Sequence, residues 1–110
     1  MAARATAALA GGERLLLCDL VLAECVHVLE SFYEVGRSQV ASLMRAAIAS
    51  SQVAVIDAPL LLRALEVYEV ERLNFAEAYI VANAEATGVG RILSFDRAID
   101  RVKSVTRIEP

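Results

Sequence analysis

The chain has 110 residues, 57% hydrophobic and 23% charged, with 11 Lys plus Arg against 14 Asp plus Glu for a net charge of -3. A single domain over 1–110 is expected at this length, and a chain this apolar is not a disordered tail. Its mildly acidic balance excludes nucleic-acid binding by bulk charge, leaving local Arg clusters or bound metal as the route to a polyanion.

The longest apolar stretch, Leu15 to Leu29, is interrupted by Asp19, Glu24 and His27, and so falls short of the roughly 18 uncharged residues of a membrane span. A soluble, cytoplasmic protein is expected. Cys18 and Cys25 sit in apolar runs without metal-ligand spacing, and read as small buried hydrophobes in a reducing compartment.

Elements follow in a regular alternation. Met1 to Leu9 is alanine-rich and reads as a helix stopped by Gly11-Gly12 rather than as a transit peptide. Leu15-Leu16-Leu17-Cys18 has the length and composition of a buried strand. Asp19 is placed to cap a helix through Leu20, Val21, Val28, Leu29 and Phe32, which Gly36 ends. Ser38 is placed to cap the next, with Val40, Leu43, Ala47 and Ile48 at helical spacing. Val53 to Ile56 is a second strand, and Asp57 caps a third helix with Pro59 in its first turn and Leu62, Leu65 and Tyr68 along it. Asn74 opens a fourth helix, Phe75 to Ala86, closed by Gly88. Arg91 to Phe95 is a third strand, Asp96 begins a short helical turn, and Val105 to Ile108 is an edge strand. Helices alternating with nearly all-apolar strands predict an α/β fold with a mostly parallel sheet covered on both faces.

In such sheets ligands gather outside the carboxyl ends of the strands, which brings forward Asp19, Asp57 and Asp96. For Asp19 and Asp57 a plain helix cap is the preferred reading. Asp96 stands out because Asp100 lies one turn beyond it, with Arg97 and Arg101 beside them. Glu77 shares a helix face with Ile80, Val81 and Ala84. A carboxylate there costs free energy unless paired or bound to a cation, although a capping box with Asn74 explains it equally well. Glu24 falls at the border between apolar and polar arcs, as an ordinary boundary glutamate does, and His27 reads as a packed or surface residue. Carboxylates gathered from several elements repel one another unless Mg²⁺ or Mn²⁺ neutralises them. Such cations activate water and stabilise the leaving oxygen of a phosphodiester. No glycine-rich phosphate loop or Cys/His cluster competes with that reading.

Three blocks, Asp19-Leu20-Val21-Leu22-Ala23-Glu24-Cys25-Val26-His27-Val28-Leu29, Asn74-Phe75-Ala76-Glu77-Ala78-Tyr79-Ile80 and Ile92-Leu93-Ser94-Phe95-Asp96-Arg97, resemble in order the successive blocks of PIN-domain ribonucleases, VapC-type toxins in particular. The resemblance implies a three-layer, Rossmann-like fold and a cluster of acids that binds Mg²⁺ or Mn²⁺ and cleaves RNA. It further implies a cognate VapB-like antitoxin and a homodimer. Glu24 matches the family's helix glutamate, Glu77 an acid that is usually Asp, and Asp96 the acid after the late strand, with Asp100 as accessory and Arg97 or Arg101 for RNA phosphates. Family members begin with a central strand ending in a further ligand Asp, which has no match here. The resemblance therefore implies two strands short of a neighbour and weakened or absent activity. The rival reading is a degenerate, non-catalytic PIN module that binds an antitoxin or dimer partner. A receiver-like domain with Asp19 or Asp57 as phosphoacceptor ranks last, because Lys103, the only lysine, lies well past Asp96.

Overall fold

A computed structural model describes residues 13–110; the alanine-rich helix expected before Gly11-Gly12 lies outside the described residues. The elements are β1 (Leu15–Leu16), α1 (Asp19–Ser31), α2 (Arg37–Ala49), β2 (Val53–Ala54), α3 (Ala58–Val70), α4 (Phe75–Thr87), β3 (Arg91–Leu93), a 3-10 helix (Arg97–Arg101) and β4 (Thr106–Ile108). The α/β class is as expected from the alternation.

Each helix buries the apolar residues that recur at helical spacing: Leu22 and Val26 on α1, Val40, Ala41 and Met44 on α2, Leu61, Ala64, Leu65 and Tyr68 on α3, and Ala78, Val81 and Ala82 on α4. The fully buried leucines each contribute about 1.5–3 kcal/mol by leaving water. Alanines on the facing sides of α3 and α4 give the two helices the most extensive packing in the molecule. Arg37, at the start of α2, ties this unit down. Its guanidinium donates to the carbonyls of Tyr68 and Leu73 and lies 4.3 Å from the centre of the Tyr68 ring, supplying a donor to the carbonyl end of α3.

Several boundaries follow the sequence. The Asp57 carboxylate accepts from the Leu60 amide at 3.1 Å, with Pro59 in the first turn. Gly88 closes α4 at φ +75°, a left-handed conformation that glycine adopts without steric cost.

Others differ. Cys18, not Asp19, is the N-cap of α1, and Asp19 sits inside the helix with its side chain turned elsewhere. The first helix ends at Ser31 rather than at Gly36, which instead caps α2; the turn between them passes through Glu34 at φ +53°. Ser38 does not cap α2, since its hydroxyl donates to Glu69 on α3. Cys18 and Cys25 are partly buried free thiols, and burial, then the charge of Glu24, pushes the Cys25 thiol up.

The strands depart most from expectation. β1 pairs in parallel with β2, Leu15 opposite Val53, and β3 pairs in parallel with β4, Ile92 opposite Arg107. Among the described residues these form two separate two-stranded sheets. Leu16 and Leu93 are 67% and 70% exposed, where a sheet covered on both faces would have buried them. Among the described residues each strand is paired on one edge only, and the ladders hold two or three residues instead of four or five.

Candidate functional site

The site is built where β3 runs out beside the first turn of α4. After Leu93 the chain turns through Ser94, whose hydroxyl accepts from the Asp96 amide at 3.0 Å. One oxygen of Asp96 then accepts from the Ala98 amide at 2.9 Å and starts the 3-10 helix. Both bonds are local, so the position of this carboxylate is fixed by its own turn.

On α4, the Asn74 side chain accepts from the Glu77 amide at 3.0 Å. This is half of a capping box. The reciprocal reach of Glu77 to the Asn74 amide is not made, because the Glu77 carboxyl faces Asp96 instead. Its Oε2 is buried without a hydrogen-bond partner. Burial pushes the Glu77 carboxyl above its ordinary range; its own amide works against this, and contact with the Asp96 carboxyl adds to it. Both readings of Glu77 thus hold in part, with the backbone capped and the carboxylate left for something else.

The opposite flank of α4 carries a second acid contact. Tyr79 donates its hydroxyl to Asp19 Oδ2, while Asp19 Oδ1 is buried without a partner. The bond to Asp19 and burial raise the Tyr79 hydroxyl, with a smaller contribution from the charge of Asp57. Tyr79 is not among the candidates the sequence brings forward, and Asp19 is expected as a cap. The only signal in the sequence is a tyrosine two residues after Glu77 in a largely apolar helix.

The remaining candidates do not join the Glu77–Asp96 contact. Glu24 is exposed on α1, bordering an apolar groove of about 320 Å³ with Val21, Cys25, Val28, Leu29 and Met44. Asp100 is held by Arg107, with contacts of 3.1 and 3.3 Å. Arg101 donates to the Arg72 carbonyl at 3.2 Å. Arg97 is exposed next to Asp96 and has no protein partner among the described residues. His27 only approaches Ser31, at 3.4 Å. No group of three or more His, Cys, Asp or Glu side chains is arranged to hold a metal among the described residues; the structure brings Glu77 and Asp96 together and does not bring Glu24 to them.

Two facing carboxylates, one with a buried oxygen lacking a donor, suit a hard divalent cation. Mg²⁺ is commonly held by one or two carboxylates, with water and substrate phosphate completing its octahedron. The PIN domain family matches the chain over residues 1–105. The chain belongs to that family. Neither a curated protein nor a solved structure matches it. The PIN domain is generally a nuclease fold, typically dependent on a divalent metal, and in this member the facing acids are Glu77 and Asp96. Among the described residues, no helix of this PIN domain is long and apolar enough to cross a membrane.

Proposed function

We propose that this PIN domain is a VapC-type endoribonuclease toxin using Mg²⁺ or Mn²⁺, and that Glu77 and Asp96 hold the cation. The observation that carries the reading is the Glu77 oxygen, buried without a donor against a second carboxyl group. Ordinary folding has no use for that arrangement, since burying a charge without a partner costs free energy. A divalent cation there supplies charge neutralisation at the phosphodiester and activation of water.

The other roles belong to the chain's own side chains. Arg97, exposed beside Asp96 and without a partner among the described residues, is the side chain placed to meet an RNA phosphate. Arg101 reaches a phosphate only by leaving the Arg72 carbonyl. Glu24 enters as the third acid on the family resemblance alone. Asp100 becomes an accessory only if Arg107 releases it. A VapB-like antitoxin and a second copy of the chain are the proposed partners, both on resemblance, and the cytoplasm is the proposed location.

With two facing acids rather than a fuller set, cleavage by the 110-residue chain is expected to be slow. Cleavage of single-stranded RNA in Mn²⁺, followed on gels, tests this. Activity lost with EDTA and in Asp96→Asn, and reduced in Glu77→Gln and Glu24→Gln, is the expected pattern. Cleavage that is unchanged in Asp96→Asn or indifferent to EDTA contradicts it.

A further inference from the structure

Positive charge is unevenly placed along the chain. Five of its eleven Lys and Arg residues, Arg91, Arg97, Arg101, Lys103 and Arg107, fall within residues 91–107, where the acids are Asp96 and Asp100 alone. That segment is a net +3 in a chain whose total is -3, the kind of asymmetry that marks a surface for a polyanion. Arg107 is taken up by Asp100 and Glu109. The side chains of Arg91, Arg97 and Lys103 are exposed and unpaired among the described residues.

Arg72 joins this face from another part of the fold. It lies in the turn between α3 and α4, where Arg101 on the 3-10 helix donates to its carbonyl at 3.2 Å. The turn that leads toward Glu77 and the helix that follows Asp96 are thus joined here as well. Arg72 has φ +59°, just past the end of α3 at Val70. Helices commonly close on a left-handed residue, usually glycine, because a Cβ is a steric burden in that conformation. Gly88 follows the rule at the end of α4, with φ +75°. At Arg72 the chain carries the strain and keeps a long cationic side chain, which is exposed and makes no hydrogen bond or ion pair among the described residues. Backbone strain that no contact within the fold offsets is expected where the side chain serves a ligand.

We propose that Arg72 is a phosphate contact for single-stranded RNA, and that the strand crosses the 3-10 helix from the Glu77–Asp96 pair toward the turn between α3 and α4. RNA as the polyanion rests on the nuclease reading above. Arg97 stands at the start of the 3-10 helix and Arg101 at its end, about 8 Å apart along the axis at roughly 2.0 Å per residue. Arg72, tied to Arg101, therefore extends the line of positive charge away from Asp96 toward the neighbouring phosphates of the same strand. A guanidinium suits them because its N–H donors match two phosphate oxygens at once.

The test measures binding of a labelled single-stranded RNA to the full chain by fluorescence anisotropy over a series of salt concentrations, in EDTA so that binding is read apart from cleavage. Arg72→Gly is expected to bind at least five-fold more weakly, with a slope of log K against log salt shallower by about 0.7. It is also expected to melt roughly 2 °C or more higher, because the strain is gone. Glu34→Gly, at the other non-glycine residue with positive φ among the described residues, should melt higher too and bind RNA no more weakly than the parent. Arg72→Gly with parental RNA affinity overturns the proposal. So does Arg72→Gly with a lower melting temperature, which would give the side chain a role in the fold. Competition by poly-glutamate as effective as by unlabelled RNA overturns it in favour of an acidic polypeptide. The nuclease reading fails separately. No cleavage in Mn²⁺ with Arg72-dependent binding intact overturns that reading and leaves this contact standing, whereas cleavage with binding indifferent to Arg72 does the reverse.

Discussion

Glu77 and Asp96 meet carboxyl to carboxyl between the first turn of α4 and the end of β3, and among the described residues neither has a basic side chain to neutralise it. In metal-free buffer at neutral pH this contact opposes folding. Glu77→Gln replaces the charge with an amide able to donate to Asp96. It is expected to stabilise the chain by about 1 kcal/mol, roughly 4–8 °C in melting temperature. A lower melting temperature in Glu77→Gln would show that the charge is compensated by the fold.

The hydroxyl of Tyr79 joins α4 to the start of α1 through Asp19. Removing it leaves the buried Asp19 carboxylate with neither oxygen bonded. Tyr79→Phe is expected to cost about 1.5–3 kcal/mol in urea unfolding, the range for a hydrogen bond to a charged group. Tyr33→Phe, at an exposed ring, should stay within about 0.5 kcal/mol. Equal effects from the two would remove the structural role assigned to Tyr79.

How far the sequence carried follows from these contacts. The helices were legible because Leu22, Val26, Leu61, Leu65 and Val81 recur at helical spacing and all are buried. Asp57, Asn74 and Gly88 act at the boundaries where their residue types place them, since capping is local chemistry. The facing of Glu77 and Asp96 was also within reach, because an acid on an apolar helix face and an acid after a strand point to the same end of the sheet. What failed was non-local. Leu15 and Leu16 look like buried strand, yet burial there requires a neighbour on each side, and among the described residues β1 pairs with β2 alone. Asp19 looked like a cap because nothing local announces a tyrosine 60 positions away. Arg37 likewise serves carbonyls more than 30 positions distant.

The packing of α3 offers a direct contrast. Leu65 is fully buried and Leu62, three residues earlier, is 40% exposed. Leu65→Ala should cost about 2–5 kcal/mol through lost burial and the cavity left behind. Leu62→Ala should cost less than half as much in the same denaturant titration. Comparable losses would mean that the exposed face of α3 is covered in solution.

Stability toward acid depends in part on Arg63 and Glu85, which bridge α3 and α4. Arg63, with help from Ser104, holds the Glu85 carboxyl below the usual carboxylate range. A depressed folded value means stability that is present above the unfolded pKa near 4.5 and lost as pH falls through the folded one. Because Arg63 is partly exposed, the contribution is modest, about 0.5–1 kcal/mol. Arg63→Met should therefore melt lower than the parent at pH 7, with the difference shrinking below pH 4.5. A difference that is constant from pH 7 to pH 3 would assign the effect to lost packing of the Arg63 stem.

Mn²⁺ binding measured by electron paramagnetic resonance tests the cation-holding role of Glu77 and Asp96 most directly. The expected result is saturable binding by the chain, weakened at least ten-fold in both Glu77→Gln and Asp96→Asn. Asp100→Asn, whose parent side chain is committed to Arg107, should bind as the parent does. Mn²⁺ affinity unaltered in Asp96→Asn, or lost in Asp100→Asn alone, would contradict the assignment.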